Sequence, residues 1–217
     1  MVICGFDVDL VLFDYNGTLQ DDAPLTYQAS PLAIMRHFGL PEIGYESWRM
    51  WENHHDWDRI YRSLGVPDSV THDELNAIYI GALRVLPDAP LFPDAVPTLQ
   101  RLADAGVRQA LVSGMPEALL AADLERHGIR RFFERVDGGV RLKAQVFAGA
   151  AADLGVPPER VLCVGDISDD AVAADWAGQA AVVIPRGFQH PDSVDDAFVR
   201  LRLPQARILP TLAALFG

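Results

Sequence analysis

The chain has 217 residues, half of them hydrophobic and 22% charged, with a formal net charge of -12. That is the profile of one ordinary globular domain plus a small insertion. So acidic a surface repels phosphate backbones, and no basic patch offsets it, which argues against a nucleic-acid partner. No apolar run reaches the ~18 residues of a membrane span, and the N-terminus lacks the basic flank and small-residue site of a secretory signal. Cys4 and Cys163, the only cysteines, sit in apolar strand-like runs and read as reduced core thiols, not as a disulfide framework or zinc site. The expectation is a cytoplasmic protein without a membrane partner, monomeric or homodimeric.

In chain order, residues 8–13 form a short apolar strand that stops at Asp14, and Asn16-Gly17 marks a turn. Asp7 and Asp9, just before it, read as edge or surface positions. Residues 25–86 carry helical periodicity in Pro31–Phe38, Tyr45–Leu64 and His72–Val85, broken at Gly39-Leu40-Pro41 and Gly65-Val66-Pro67, with no convincing strand. From Pro93 onward helices and strands alternate. Helices are expected at Asp94–Ala105, Pro116–His127, Lys143–Leu154, Asp169–Trp176 and Leu209–Phe216. Strands are expected at Arg108–Val112, Phe132–Asp137 (weakly), Val161–Val164 and Ala180–Ile184. Several of the helices stop at a glycine in the position of a left-handed C-terminal cap, as at Gly106. Alternation of this kind predicts an α/β fold: a Rossmann-like parallel sheet with helices on both faces, here with a small helical domain inserted. The division is residues 1–20 and 90–217 for the sheet domain and 21–89 for the helical one. In such sheets ligands bind outside the carboxyl ends of the strands, and Asp14, Ser113 and Asp166 each directly follow a strand.

Four segments, in order, carry a family resemblance. Leu12-Phe13-Asp14-Tyr15-Asn16-Gly17-Thr18-Leu19 resembles the first motif of the haloacid dehalogenase-like hydrolase superfamily. Leu111-Val112-Ser113-Gly114 matches the second, Lys143 ahead of a helix the third, and Val164-Gly165-Asp166-Ile167-Ser168-Asp169-Asp170 the fourth. The match spans nearly the whole chain, and the helical insertion falls where many members carry a cap. The resemblance implies a magnesium-dependent phosphohydrolase acting on a small phosphorylated metabolite, with Asp14 as nucleophile. A carboxylate can take up a phosphoryl group as an acyl phosphate and so split one hard step into two. Magnesium takes oxygen ligands, commonly one or two carboxylates plus waters and substrate oxygens. By resemblance the metal set is Asp14, the backbone carbonyl of Asn16, Asp166 and Asp170, with Asp169 competing with Asp170 for the inward direction. Ser113, Gly114 and Lys143 would bind the transferring phosphoryl group. Lys143 is the only lysine in the chain.

The chain departs from the phosphatase pattern at Asn16, where an acid/base aspartate is usual. Positioned acid–base catalysis is worth ~10²–10⁴-fold, so the departure matters. It also speaks against carbon–halogen and carbon–phosphorus bond cleavage, whose enzymes usually carry tyrosine or alanine there. The helical insertion also lacks the lysine that carbon–phosphorus cleavage needs. Three accounts of Asn16 follow. The leaving group is a good one, such as that of an acyl phosphate; or another residue supplies the proton, with Asp21, Asp22, His54 and His55 as candidates; or the protein binds phosphate without useful turnover. Trp48, Trp51 and Trp57 fall on helical spacing and read as the core of the insertion, while Arg49, His54, His55 and Arg59 are available for an anionic or polar substrate.

Overall fold

The computed structural model describes residues 1–51 and 57–217, without the side chain of Trp57; His54 and His55 lie outside the described residues. A two-stranded antiparallel hairpin, β1 (Val2–Ile3) and β2 (Phe6–Asp7), leads into β3 (Leu10–Phe13). Five more strands follow: β4 (Arg108–Val112), β5 (Arg135–Asp137), β6 (Val161–Gly165), β7 (Ala180–Val183) and β8 (Ala206–Ile208). With β3 they make one parallel sheet in the order β5-β4-β3-β6-β7-β8. Counted from β3, this is the 3-2-1-4-5-6 Rossmann order. The chain winds outward from β3 to β5, then returns to β6 on the other side of β3, so the switch point lies between β3 and β6.

All four residues of β3 are fully buried, as a central parallel strand covered on both faces requires. Val11 and Phe13 face one apolar cluster with Leu99, Leu111, Leu120 and Leu162. Leu10 and Leu12 face the other with Val112, Phe147, Cys163 and Val183. The covering helices are α6 (Ala95–Asp104), α7 (Glu117–Arg126), α8 (Lys143–Asp153), α9 (Ser168–Trp176) and α10 (Pro191–Leu201).

Between β3 and α6 the described elements are helical: α1 (Ala23–Tyr27), α2 (Ala33–His37), α3 (Tyr45–Arg49), α4 (Trp57–Ser63) and α5 (His72–Leu83). They hold an apolar cluster of their own, with Ile34, Tyr61, Val66 and Leu75 buried together. A π-helical turn at Gln28–Leu32 joins α1 to α2 with Pro31 inside it. A proline lacks the amide donor and pushes against the preceding turn, and the wider turn absorbs that insertion. The helix therefore begins at Ala23, upstream of the expected Pro31. Thr71 closes a capping box with Glu74 at the start of α5, a motif that satisfies two otherwise unpaired amides.

Elsewhere the elements match within a few residues except at the C-terminus and over the expected Tyr45–Leu64 helix, where α3 stops at Arg49, Met50 and Trp51 lie outside a helix, and α4 covers only Trp57–Ser63. The α10 helix and strand β8 were not expected, and Leu209–Phe216 holds only a 3-10 turn at Ala213–Phe216. Asp7 is exposed and Asp9 pairs with Arg160, away from any site. Cys163 is buried in β6, whereas Cys4 occupies the hairpin turn, half-buried with a φ of 51°. Among the described residues no helix is long and apolar enough to cross a membrane.

Candidate active site

The carboxyl ends of β3, β4 and β6 bring the motif residues together. Asp14 continues β3, its amide bonded to the Val164 carbonyl at 2.8 Å. Ser113 continues β4, with its amide on Asp137 and its carbonyl accepting from Val140. Asp166 follows β6, and Asp170 lies one helical turn further on in α9. Lys143 opens α8 and reaches inward, its Nζ donating to Asp14 Oδ1 at 2.7 Å and to Asp170 Oδ1 at 2.6 Å. All five are buried. Asp169, by contrast, is partly exposed, so Asp170 is the inward member of the pair.

Oxygens of Asp14, Asp166 and Asp170 all lie within 4.8 Å of one another. Three carboxylates in so small a buried volume face one ammonium, and the electrostatics follow from that. Burial, more than any other cause, pushes the Asp14 carboxyl up to about 6, against the opposing pull of Lys143. Asp166 is driven well above the ordinary carboxylate range, first by burial and then by the charges of Asp14 and Asp170. Lys143 is opposed by the same burial, yet the two carboxylates it touches hold it firmly protonated.

Asp166 Oδ2 accepts the Phe188 amide at 2.5 Å, while its Oδ1 is buried with no hydrogen-bond partner. A buried orphan carboxylate oxygen beside two further carboxylates is costly in the absence of a cation. The all-oxygen donor set suits a hard divalent ion such as Mg²⁺. The residues present therefore fit that metal. Two glycines make the packing around Asp166 feasible. A Cβ on Gly17, whose φ is +72°, would lie 2.4 Å from Asp166 Oδ2, and one on Gly187 would lie 2.2 Å from the same atom and 2.4 Å from the Gly17 Cα.

Asn16 is fixed at both ends of its carboxamide. Its Oδ1 accepts from the Ser113 hydroxyl at 3.2 Å, and its Nδ2 donates to Asp22 Oδ2 at 2.8 Å. Asp22 is buried and also accepts from the Gly17 amide and the Thr26 hydroxyl. Burial raises its carboxyl to about 6, despite those hydrogen bonds. Asp21 is exposed. Of the two neighbouring acids, only Asp22 belongs to the site.

The sequence reading missed the loop after β7. Phe188 holds Asp166, and Gln189 Oε1 accepts the Ser168 amide at 2.6 Å at the start of α9. Arg49 from the helical segment donates its Nε to the Gly187 carbonyl at 3.1 Å and its Nη2 to the Gln189 carbonyl at 3.4 Å. Trp48 packs edge-on against Phe188 at 5.7 Å. The available signal was a fourth strand end: Ile184-Pro185-Arg186-Gly187 leaves β7 on the same edge of the sheet as Asp14 and Asp166. The helical segment thus roofs the site, enclosing a cavity of about 160 Å³ lined by Asp14, Asn16, Ser113, Gly114, Lys143 and Asp166 on its floor.

Comparison with known proteins identifies the family. Residues 8–178 match the haloacid dehalogenase-like hydrolase family, and residues 142–215 a related HAD-hydrolase-like family. Phosphoglycolate phosphatase 1 of Pseudomonas aeruginosa is 30% identical over 193 residues, covering 83% of this chain and 71% of its own length. The phosphoglycolate phosphatase of Aliivibrio fischeri is 29% identical over 206 residues, covering 88% of this chain and 90% of its own. A Bacteroides fragilis protein assigned to the haloacid dehalogenase-like hydrolases superposes with a TM-score of 0.80 at 22% identity, covering 96% of this chain and all of the other. In its strand order, its four motifs and its sequence, this chain belongs to the haloacid dehalogenase-like hydrolase family.

Proposed function

We propose that the protein is a Mg²⁺-dependent phosphohydrolase that transfers the phosphoryl group of a small metabolite to Asp14 and then to water. The carrying observation is the buried cluster itself: Asp14, Asp166 and Asp170 converge around Lys143, and one Asp166 oxygen lacks any partner. Asp14, the Asn16 carbonyl, Asp166 and Asp170 would hold the metal. When bound, Mg²⁺ supplies the positive charge that lets carboxylates and phosphoryl oxygens share one buried site.

The chain's own residues account for the remaining work. Lys143 and Thr18 hold the two oxygens of Asp14, which fixes the nucleophile for attack along the axis of the leaving bond. Ser113 and Gly114 at the end of β4, with the Lys143 ammonium, offer donors to the phosphoryl oxygens as charge shifts onto them. Asp14 forms its bond to phosphorus as the bond to the leaving oxygen breaks, and that oxygen keeps the electron pair. Water then attacks phosphorus, and the carboxylate of Asp14 departs with inorganic phosphate as product. Residues 21–89 act as a cap over the core of 1–20 and 90–217. Arg49 and Trp48 fasten it to the Gly187–Gln189 loop, which limits solvent access to the acyl phosphate.

Asn16 supports a second reading. Its carboxamide is engaged by Ser113 and Asp22 and has no exchangeable acid proton, so the site is also suited to holding phosphate with slow turnover. A Mg²⁺-dependent assay over phosphate esters and acyl phosphates separates the two, with Asp14→Asn as control. Turnover above that control, with an alkali-labile phosphoenzyme that Asp14→Asn does not form, is the expected result. Phosphate and Mg²⁺ binding without turnover would establish the second reading instead.

A further inference from the structure

Which end of a carboxamide carries the oxygen is set by the groups around it, and at Asn16 two buried neighbours give the same answer. Asn16 Nδ2 donates to Asp22 Oδ2 at 2.8 Å and to Gln20 Oε1 at 3.3 Å, so both of its hydrogens are committed to buried side chains. Each neighbour is itself fixed. Asp22 Oδ1 accepts the Gly17 amide at 2.8 Å, and its Oδ2 also accepts the Thr26 hydroxyl at 2.9 Å. Gln20 directs its own Nε2 to Asp123 Oδ2 at 2.9 Å and to the Ala89 carbonyl at 3.4 Å, which turns its oxygen toward Asn16. Asp123 is buried and held in turn by Arg126.

The Asn16 oxygen therefore faces the other way, accepting from the Ser113 hydroxyl at 3.2 Å in the cavity that both line with Asp14. Ser113 Oγ already accepts the Met115 amide at 3.1 Å, and its single hydrogen has one destination at a time. A phosphoryl oxygen bound at Ser113 draws that hydrogen to itself and leaves Asn16 Oδ1 free to accept another.

An acceptor at this position has unequal value in the two halves of the reaction. A leaving oxygen gains electrons and needs a donor, which Oδ1 is not. An attacking water must turn a lone pair toward phosphorus, and an acceptor for one of its O–H bonds aims it. Resting on the hydrolase reading above, we propose that Asn16 Oδ1 orients the water that opens the acyl phosphate, with Gln20 and Asp22 as the positioning residues that keep this oxygen turned inward. The carboxamide aims the water without taking its proton, the role a glutamine plays in GTP hydrolysis. The water oxygen bonds to phosphorus as the bond from phosphorus to the Asp14 carboxyl oxygen breaks, and Asp14 keeps the electron pair. One water hydrogen stays on the attacking oxygen and the other ends on a phosphoryl oxygen. Dihydrogen phosphate leaves, and Asp14 returns as a carboxylate.

The test follows formation and decay of the phosphoenzyme by rapid quench, using radiolabelled acetyl phosphate with Mg²⁺. Acetate leaves without a proton, so formation does not call on Asn16. Asp22→Asn is nearly isosteric. Its oxygen stays on the Gly17 amide, so its new amino group meets that of Asn16 and turns the Asn16 carboxamide round. Decay should slow at least about tenfold more than formation, and phosphoenzyme should accumulate. Asn16→Ala keeps the backbone carbonyl but removes Oδ1, and should slow decay to a similar extent. Adding Asp22→Asn to Asn16→Ala should slow decay less than about twofold further, whereas a merely structural Asp22 would show its full effect in both backgrounds. If Asp22→Asn does not fold, Gln20→Leu removes the other anchor and should slow decay about threefold more than formation, the worth of one hydrogen bond. Unchanged decay in these variants, equal slowing of both steps, or an undiminished Asp22→Asn effect in Asn16→Ala would overturn the proposal and leave the hydrolase reading standing. Absence of any Asp14-dependent phosphoenzyme would overturn the hydrolase reading and this proposal with it.

Discussion

Replacing Lys143 with methionine removes the only buried cation among the described residues that touches the carboxylate cluster. The Lys143 ammonium lies 2.7 Å from Asp14 and 2.6 Å from Asp170, and all three side chains are at least nine-tenths buried. Methionine fills similar space but leaves both carboxylates without their partner. Removing one member of a buried ion pair costs ~3–5 kcal/mol. At ~2–4 °C per kcal/mol for a chain of this length, the midpoint of thermal unfolding in chelator at pH 8 should fall by roughly 6–20 °C. The sign of the pH dependence follows by linkage. The Asp14 carboxyl already sits at about 6 in the folded wild type, above its unfolded value, and without Lys143 it rises further. The folded variant then binds more protons than the unfolded chain, so its stability increases as pH falls through that raised pKa. The deficit should thus be largest at pH 8 and shrink by pH 6. Mg²⁺ at 100 times its Kd should restore ~2.7 kcal/mol where it still binds. A midpoint within 2 °C of wild type at pH 8 in chelator, or a deficit that grows toward pH 6, would refute the electrostatic account of the site.

Mg²⁺ binding should be proton-linked, because burial and mutual repulsion raise Asp14 to about 6 and Asp166 well above its ordinary range, and a cation needs both deprotonated. Affinity should fall as pH drops through 6, and calorimetry in two buffers of different ionisation enthalpy should register proton release at neutral pH. Gly187→Ala drives a Cβ to 2.2 Å from Asp166 Oδ2 and 2.4 Å from the Gly17 Cα. It should cost ~1–3 kcal/mol of stability and abolish the Mg²⁺-induced rise in unfolding temperature; an unchanged rise would show that Asp166 is not a ligand. Asn16→Asp places a carboxyl where the amide now donates to Asp22 at 2.8 Å. Two carboxyls at that separation share a proton, so the variant should gain alkyl-ester hydrolysis of about 10²-fold or more, with the gain lost in Asn16→Asp/Asp22→Asn. Equal initial rates in wild type and Asn16→Asp on an alkyl phosphate would show that protonation does not limit the reaction.

Much of the site was legible because its chemistry sits at strand ends, and strand ends are local events. The apolar run of residues 8–13 stops at Asp14, Arg108–Val112 stops at Ser113, and Val161–Val164 stops just before Gly165-Asp166. An all-parallel sheet places such positions on one edge. Lys143 was harder to place, since a lysine at a helix start reads as solvated until the fold turns it inward against two carboxylates. The C-terminal elements were misplaced because α10 exposes Val199 and Leu201 and buries Ser193, which blurs its helical pattern, and β8, with three residues, is a strand only by virtue of pairing with β7. Edge pairing of that kind leaves little mark in local composition.

By itself, then, the amino-acid order determined the alternation of helix and strand, the position of Asp14 at the end of the first central strand and the absence of an acid at Asn16. Those depend on residue identity and on periodicities of a few residues. Only the tertiary structure decided between Asp169 and Asp170, between Asp21 and Asp22, and which part of the helical segment lines the cavity. Each is a question of direction. Adjacent residues on a helix point about 100° apart, and packing against distant segments chooses between them. Phe188 is the plainest case: the strand end before it marks only a loop, yet in the fold its amide holds Asp166 and its ring meets Trp48. It does so because β7 ends beside β6 in the sheet and the roof closes onto the loop that follows.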